Sequence, residues 1–301
     1  MISVILCTHD PRADFLARTI DSLRKQDLAP SQWELVLVDN HSREPLADHT
    51  DLSWHPKARI VREEELGLTP ARLRGIAETT GELIVFIDDD NILQPDYLHV
   101  AAELAAQNPQ LGCWGGSCIG EFETPPPAWA KPYLCYLAIR EVTHFSWAKE
   151  YRYDIVPTGA GMCIRRPLAE TYARETKGNL MRRELDRKGT SLVSGGDSDL
   201  AFTAIDQGFG IGLSPQLSLH HLMPKGRLEL TYLERLMEGI AASAPLVLHV
   251  RGAYHPPARK GLIERWLAAY RMSRQPEPVR RLEAARLRGI ASARAQITSL
   301  R

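Results

Sequence analysis

Three consecutive carboxylates, Asp88, Asp89 and Asp90, are the residues of this sequence best suited to chemistry. They follow the apolar run 83–87, and in an extended segment the side chains of Asp88 and Asp90 project to the same side. Two carboxylates so close repel each other unless a cation lies between them or one takes a proton. Oxygen ligands in this number suit Mg²⁺ or Mn²⁺, which also bind substrate phosphates. The sequence therefore predicts a divalent-cation site, with a solvated acidic loop as the alternative.

A second acidic pair, Asp197 and Asp199, follows Ser194-Gly195-Gly196 at the start of an amphipathic segment. An Asp in the first turn stabilises a helix by roughly 0.5–1 kcal/mol, so capping is one interpretation, and it suits Asp199 best. The two glycines permit close approach of the backbone to a ligand. We therefore consider Asp197 the stronger candidate for chemistry.

The elements that must position these side chains alternate between strand and helix. Apolar runs predict strands at 3–7, 34–38, 59–62 and 83–87, and helical spacing predicts helices at 10–26, 69–80 and 94–107, the first one capped by Asp10-Pro11. Near-continuous apolar strands between helices indicate a mostly parallel sheet that is covered on both faces. Ligands bind beyond the carboxyl ends of such strands. Thr8, Asp39 and Asp88 should therefore face one crevice.

The pattern changes after residue 110. Strands are predicted at 111–118 and from Gly208 toward His220-His221, and from Leu228 the chain reads as mostly helical. We divide the chain into residues 1–110 and 111–227, two halves of one α/β domain, and a helical extension at 228–301. The predicted helix 281–301 favours a packed or dimerising role, and weak contact with an anionic membrane is the alternative.

Composition excludes several classes of protein. The 37 basic and 37 acidic residues balance, which leaves no electrostatic case for a nucleic-acid partner. Five cysteines without a CxxC pair argue against a zinc ribbon or a disulfide framework and favour a reducing cytoplasm. The longest apolar stretch, 240–250, is about half of the roughly 20 residues that a membrane span needs. We expect a cytoplasmic protein, with a position at the inner face of the membrane as the alternative.

The order of these motifs resembles that of family-2 glycosyltransferases of the GT-A fold, over about residues 2–228. The matching residues are Thr8, Asp39, Gly67-x-x-x-Ala71-Arg72, Asp88-x-Asp90, Gly-Gly-Asp197-x-Asp199-Leu200 and His221. The resemblance implies a Rossmann-like, mostly parallel sheet flanked by helices. It also implies an enzyme that transfers a sugar from a nucleotide-sugar to a hydroxyl group and inverts the anomeric centre.

The same resemblance implies roles for the donor-binding residues. Asp90 would be the direct ligand of Mn²⁺ or Mg²⁺ on the diphosphate. The residues implied to contact the nucleotide are Thr8, Asp39, Arg72, Asp88 and Asp89, of which Asp88 lies nearer the ribose and Arg72 reaches the base or the diphosphate. For Asp39 the alternative is an Asx turn that caps its own loop.

Two further segments gain implied roles. Asp197 corresponds to the general base of the family, while Gly196 replaces the Glu that usually precedes it, and Asp199 remains the alternative base. His221 would supply an imidazole to the metal or to the leaving diphosphate, with His220 in competition. We also expect residues 222–226 to form a mobile lid over the diphosphate.

The sequence thus predicts a metal-dependent transferase acting on a UDP-, GDP- or dTDP-linked sugar. The acceptor would be a saccharide, a lipid-linked molecule or another hydroxyl compound, and a role in bacterial polysaccharide or glycoconjugate biosynthesis is implied. One alternative is a nucleotidylyltransferase, which normally has a glycine-rich phosphate loop that residues 3–12 lack. The other is a non-catalytic, glycosyltransferase-like scaffold that binds sugars.

Overall fold

A computed structural model describes residues 1–187, 189, 192–256 and 261–299 of the chain. In this part, the strands are β1 (Ile2–Thr8), β2 (Trp33–Asn40), β3 (Ala58–Glu63), β4 (Leu83–Asp88), β5 (Asn91–Leu93), β6 (Leu111–Phe122), β7 (Ser146–Ala148), β8 (Met162–Arg165) and β9 (Gly210–Met223). The α-helices are α1 (Ala13–Arg24), α2 (Leu68–Glu78), α3 (Tyr97–Gln107), α4 (Arg166–Lys177), α5 (Leu180–Arg183), α6 (Gly196–Asp206), α7 (Leu230–Val250), α8 (Leu262–Ser273) and α9 (Glu277–Ser299).

All the strands belong to one curled sheet. Its order is β3-β2-β1-β4-β8-β6-β9-β5, and β7 pairs with β9. The first four strands in this order run parallel, as predicted, and β6 is parallel to β9. The short strands β8, β5 and β7 run antiparallel to their neighbours. The sheet is continuous from the first half of the chain into the second.

The side chains of β1 alternate between two apolar clusters, which explains why neither face of this strand is polar. Val4 and Leu6 pack in one cluster, together with side chains of α1 and α3. Ile5 and Cys7 point the other way, into a cluster with side chains of α2, α4 and α6. Successive side chains of a strand face opposite sides of the sheet, so a central strand covered by helices on both sides is apolar throughout.

The strand register brings the polar strand ends together. Thr8 at the end of β1 is paired with Asp39 in β2, and Cys7 is paired with Asp88 in β4. The carboxyl ends of these three parallel strands therefore meet at one edge of the sheet. This arrangement confirms the predicted crevice for Thr8 and Asp88, whereas the side chain of Asp39 does not line it.

The predicted cap of α1 is wrong. Arg12 is the N-cap residue, and the helix begins at Ala13 rather than at Pro11. Asp10 has a left-handed backbone with φ of 45°, and its carboxylate accepts hydrogen bonds from the backbone N–H and the Nε of Arg43, at 2.9 and 2.8 Å. Asp10 therefore anchors the loop after β2 instead of starting the helix.

The C-terminal helices α7 and α9 pack against each other. The inward face of α9 contains Leu282, Ala285, Gly289 and Ala293, all of them buried. This packing agrees with the predicted packed helix at 281–301, of which residues 300 and 301 lie outside the described part. Over the residues that the structure describes, none of the helices combines the length and the apolar character that a membrane crossing requires.

Candidate active site

A cavity of about 740 Å³ opens beyond the carboxyl ends of β1 and β4. Acidic side chains are concentrated in its lining, which includes Asp88, Asp89, Asp90, Asp186 and Asp197. Thr8, Arg72, His221 and Arg227 also line it. The structure therefore brings most of the residues implied by the sequence to one cavity.

Strand pairing places His221 beside the aspartate triplet. β5 follows the triplet directly and pairs with β9, so that Asn91 lies opposite His221, and the backbone N–H of Leu222 donates to the carbonyl of Asp90. As a result, Nε2 of His221 lies 3.2 Å from the carboxylate of Asp90. His220 is paired with Ile92 instead. Of the two histidines, His221 is thus the one that meets Asp90.

The aspartate triplet concentrates negative charge in a buried place. Burial raises the pKa of Asp89 to about 7, with the charge of Asp90 adding to the shift, although a hydrogen bond from the hydroxyl of Thr8 opposes it. Burial also raises the pKa of Asp88, again helped by Asp90. For Asp90 burial is outweighed by His221 and Arg227, which lower its pKa to about 2. Asp90 is therefore the carboxylate that the protein keeps ionised.

The chemistry of these donors fits a divalent cation. Asp90 and His221 offer a carboxylate oxygen and an imidazole nitrogen, a combination that Mn²⁺ accepts, and both are buried. Among the described residues, no three His, Cys, Asp or Glu side chains converge as a complete ligand set. Mg²⁺ and Mn²⁺ commonly take one or two protein ligands and complete their coordination with substrate phosphates and water. The residues thus suit a cation that arrives with a diphosphate.

A buried guanidinium joins two further carboxylates of the cavity lining. Nη1 of Arg72 lies 3.0 Å from Asp186, and Nη2 lies 2.5 Å from Asp197. The side chain of Arg72 is 2% exposed, whereas that of Asp197 is 27% exposed. The second oxygen of Asp197 accepts a hydrogen bond of 2.7 Å from the backbone N–H of Gly159. Asp197 is therefore held in a fixed orientation with access to the cavity.

Asp199 has a different environment. Its side chain is completely buried, 2.5 Å from Arg251 on the far side of α6, and it lies outside the cavity lining. Burial raises its pKa in spite of the opposing charge of Arg251. The carboxylate ties α6 to the end of α7. Of the two acidic residues that the sequence left open, Asp197 is the one that faces the cavity.

Asp39 is engaged by its own loop. Its carboxylate accepts hydrogen bonds from the backbone of Ser42 and Leu46, at 2.9 and 3.1 Å, and from Arg62 at 2.8 Å. These hydrogen bonds lower its pKa although burial opposes them. The geometry matches the loop-capping alternative, and Asn40 lines the cavity in its place. Contact of Asp39 with a nucleotide base stays a prediction.

The predicted mobile lid at 222–226 is wrong for Leu222 and Met223, which belong to β9, whereas mobility of residues 224–226 stays a prediction. Leu222 and Met223 end β9 with 1% and 0% exposure, and Met223 belongs to a buried cluster with α7 and α9. The neighbouring Arg227 already reaches into the cavity, 2.9 Å from Asp90. Leu222 and Met223 pair with β6, and residues 224–226 lie beyond the end of the sheet.

Sequence reasoning missed Asp186. Burial raises its pKa to about 6 in spite of the opposing charge of Arg72, and the negative charge of Asp197 adds to the shift. Asp186 lies 114 residues from Arg72 in sequence, in a stretch without helical or strand periodicity. Asp186 could have been found as a carboxylate partner for a buried arginine. The sequence, however, does not show that Arg72 is buried.

The architecture is that of a GT-A glycosyltransferase. The structure aligns with a crystal structure of S. aureus TarS residues 1–349 at a TM-score of 0.52 and 17% identity, over 99% of this chain and 90% of that one. Likeness at this identity concerns the fold. The model of glycosyl transferase family 2 matches residues 3–169, which is more than half of the chain, and the protein therefore belongs to this family.

Curated relatives match part of the chain. The glucosyl-dolichyl phosphate glucuronosyltransferase of Haloferax volcanii is 24% identical over 132 residues, which cover 42% of this chain and 41% of the relative. The putative glycosyltransferase EpsH of Bacillus subtilis is 24% identical over 169 residues, or 52% and 48% of the two chains. Polypeptide N-acetylgalactosaminyltransferase 5 of Caenorhabditis elegans is 36% identical over 92 residues, or 29% and 14%. The matched region spans less than half the length of each of these relatives.

Proposed function

We propose that the protein is an inverting, metal-dependent glycosyltransferase that uses a nucleotide-sugar donor. The observation that carries the proposal is the lining of one cavity, which combines the neighbouring Asp90 and His221 with an Asp197 that Arg72 holds in place. Family membership supports the reaction class.

The donor would bind with its diphosphate toward Asp90 and His221. Thr8, Asp88 and Asp89 line the same end of the cavity and are the proposed contacts of the nucleoside. A bound Mn²⁺ or Mg²⁺ supplies neutralisation of the charge that develops on the leaving diphosphate. We assign to Arg72 the orientation of Asp197 rather than contact with the nucleotide, since both ends of its guanidinium are occupied by carboxylates.

Asp197 would act as the general base. Its carboxylate accepts the proton of the acceptor hydroxyl as the hydroxyl oxygen bonds to the anomeric carbon, while the bond from that carbon to the diphosphate breaks. The single displacement inverts the anomeric centre. The hydrogen bonds from Arg72 and Gly159 hold the carboxylate in place throughout.

The donor and the reaction class are tested in one assay. The protein is incubated with UDP-, GDP-, dTDP- and CMP-sugars, with Mn²⁺ or with EDTA, and release of free nucleotide is measured. In parallel it receives nucleoside triphosphates with sugar 1-phosphates. We expect release of the nucleoside diphosphate from one class of nucleotide-sugar. This release should depend on the cation and be lost in Asp90→Ala. Pyrophosphate release would instead identify a nucleotidylyltransferase, and no release in either arm would favour a sugar-binding scaffold.

A further inference from the structure

Asp186 occupies the space in which residue 196 would otherwise begin its side chain. A Cβ built on Gly196 would lie 2.1 Å from Oδ2 of Asp186 and 2.5 Å from its Cγ. A Cβ atom does not lie this close to a non-bonded atom, so any side chain at 196 would displace the Asp186 carboxylate. The glycine that precedes Asp197 is therefore a condition for the observed position of Asp186.

Backbone hydrogen bonds hold Asp186 between two elements of the site. The N–H of Gly195, at the start of α6, donates to the carbonyl of Leu185 at 2.7 Å. The N–H of Leu68, at the start of α2, donates to the carbonyl of Arg187 at 3.2 Å. Both neighbours of Asp186 are thus fixed, and its carboxylate is directed at the guanidinium of Arg72, which comes from α2.

The placement has an electrostatic consequence for Asp197. Arg72 carries one positive charge and contacts both Asp186 and Asp197, so the two carboxylates compete for it. With Asp186 ionised, the charge of Arg72 is divided between two carboxylates, so Arg72 stabilises the charge of Asp197 less than it would with Asp197 as its only partner. The fixed guanidinium also restricts the rotation of the Asp197 carboxylate.

We propose that Asp186 is a positioning residue for Asp197, acting through Arg72, and that Gly196 is the residue that admits it. This inference rests on the proposed function, because it gives Asp197 the role of general base. Asp186 makes no bond to the acceptor or the donor in this account. It determines where the Asp197 carboxylate points and how strongly it attracts a proton.

The test compares four proteins in the nucleotide-sugar assay: Asp186→Asn, Asp186→Gly, the exchange variant Asp186→Gly/Gly196→Asp, and the exposed control Asp27→Asn. For Asp186→Asn we expect kcat to fall on the order of 10–100-fold with the donor KM unchanged, and the acid limb of kcat against pH to move to lower pH. Asp186→Gly should lose at least as much. The exchange variant should recover most of the loss, since its carboxylate starts from the vacated position.

Each alternative outcome is decisive. If Asp186→Asn keeps the kcat and pH profile of the wild type, or if the exchange variant is as impaired as Asp186→Gly while melting at the same temperature, the proposal is overturned. Thermal melting of every variant identifies losses that come from misfolding. A wild-type protein without nucleotide-sugar turnover would refute the proposed function itself, whereas an active wild type with an indifferent Asp186 refutes only this inference.

An independent observation concerns α8. From Leu262 to Arg271 every described residue of this helix is exposed, and its large apolar side chains include Leu262, Ile263 and Trp266, which are 81%, 76% and 64% exposed. Trp266 and Tyr270 stack with ring centroids 5.7 Å apart. These residues recur at helical spacing and form one face, which we call the α8 face.

Charge indicates what covers this face. Residues 259–274, which include α8, contain five basic residues and one acidic residue, although the whole chain is electrically balanced. Amphipathic helices that lie in a membrane interface combine such a basic segment with Trp, Tyr, Leu and Ile on the apolar face. We infer that the α8 face binds a bilayer that contains anionic lipid, which places the membrane contact on α8 and not on the predicted helix 281–301.

Flotation of the full chain with vesicles tests this inference. We expect binding to phosphatidylcholine vesicles with 30% phosphatidylglycerol, on the order of 10-fold weaker binding to pure phosphatidylcholine, and a blue shift of Trp fluorescence on binding. Ile263→Ser/Trp266→Ser should abolish flotation, whereas Leu287→Ser, which alters an exposed apolar residue of α9, should not. Flotation that survives the double variant, absence of flotation, or a dimer that this variant dissociates would overturn the inference, the last in favour of a second copy.

Discussion

The guanidinium of Arg227 lies 2.9 Å from the carboxylate of Asp90, and His221 lies 3.2 Å from the same carboxylate. Arg227 therefore supplies positive charge next to Asp90, where a divalent cation would otherwise supply it. A cation that binds the oxygen contacted by Arg227 would displace this side chain, which would then be available to the phosphates of the proposed donor.

Removing this competitor should strengthen cation binding in the absence of nucleotide. A hydrogen bond between charged groups contributes about 1.5–3 kcal/mol, so we expect Arg227→Gln to bind Mn²⁺ roughly 10-fold more tightly than the wild type. Titration calorimetry with Mn²⁺ measures this directly, and Arg288→Gln, a change on the exposed side of α9, provides the control. Unchanged or weaker binding in Arg227→Gln would mean that Arg227 does not compete for Asp90.

The junction of α7 and α9 should tolerate no side chain at Gly289. A Cβ there would lie 2.1 Å from the carbonyl oxygen of Glu238 in α7. Alanine gains about 1 kcal/mol over glycine in a helix, but overpacking costs about 1–3 kcal/mol, so Gly289→Ala should lower the melting temperature. Ser292→Ala, on the exposed face of α9, should leave it equal or slightly higher. A more stable Gly289→Ala protein would contradict the observed packing.

The charge of Asp186 should make stability depend on pH. Its pKa is raised from 3.8 to about 6, because burial outweighs the attraction of Arg72, so the folded protein binds this proton more tightly than the unfolded chain. The contribution of Asp186 to stability is then fully present below pH 4 and is lost as the pH rises through 6. In urea unfolding between pH 4 and 8, we expect the stability of the wild type relative to Asp186→Asn to decline. A difference that stays constant or grows with pH would contradict this environment.

Periodicity and strand composition were enough to predict the parallel half of the sheet and the crevice. The run 83–87 followed by three aspartates is one example. A buried strand with a polar carboxyl end predicts that a ligand binds beyond that end. The cap of α1 was mispredicted because the side chain of Asp10 bonds to Arg43, a tertiary contact that local spacing does not reveal. Asp186 was missed for the same reason, since its partners come from α2 and α6. The sequence does not show that Leu222 and Met223 extend β9, because their pairing with β6 depends on the whole sheet.

Asp199 should prove structural. It is paired with Arg251, and both side chains are almost completely buried. Breaking a buried ion pair costs about 3–5 kcal/mol, and asparagine retains part of the hydrogen bonding, so the loss for Asp199→Asn should lie at or below that range. The folded fraction should keep a kcat close to that of the wild type. A stable variant that has lost transfer would show that Asp199, not Asp197, acts as the base.

The substitution Asp197→Asn tests whether Asp197 accepts the proton of the acceptor hydroxyl. The substitution keeps the size of the side chain and its hydrogen bond to Arg72 through the amide oxygen, but it removes the basic carboxylate. We predict that transfer from the nucleotide-sugar identified in the assay falls on the order of 10²–10⁴-fold while the affinity for that donor, measured by calorimetry, is unchanged. Transfer close to the wild-type rate with equally tight donor binding would show that Asp197 is not the general base.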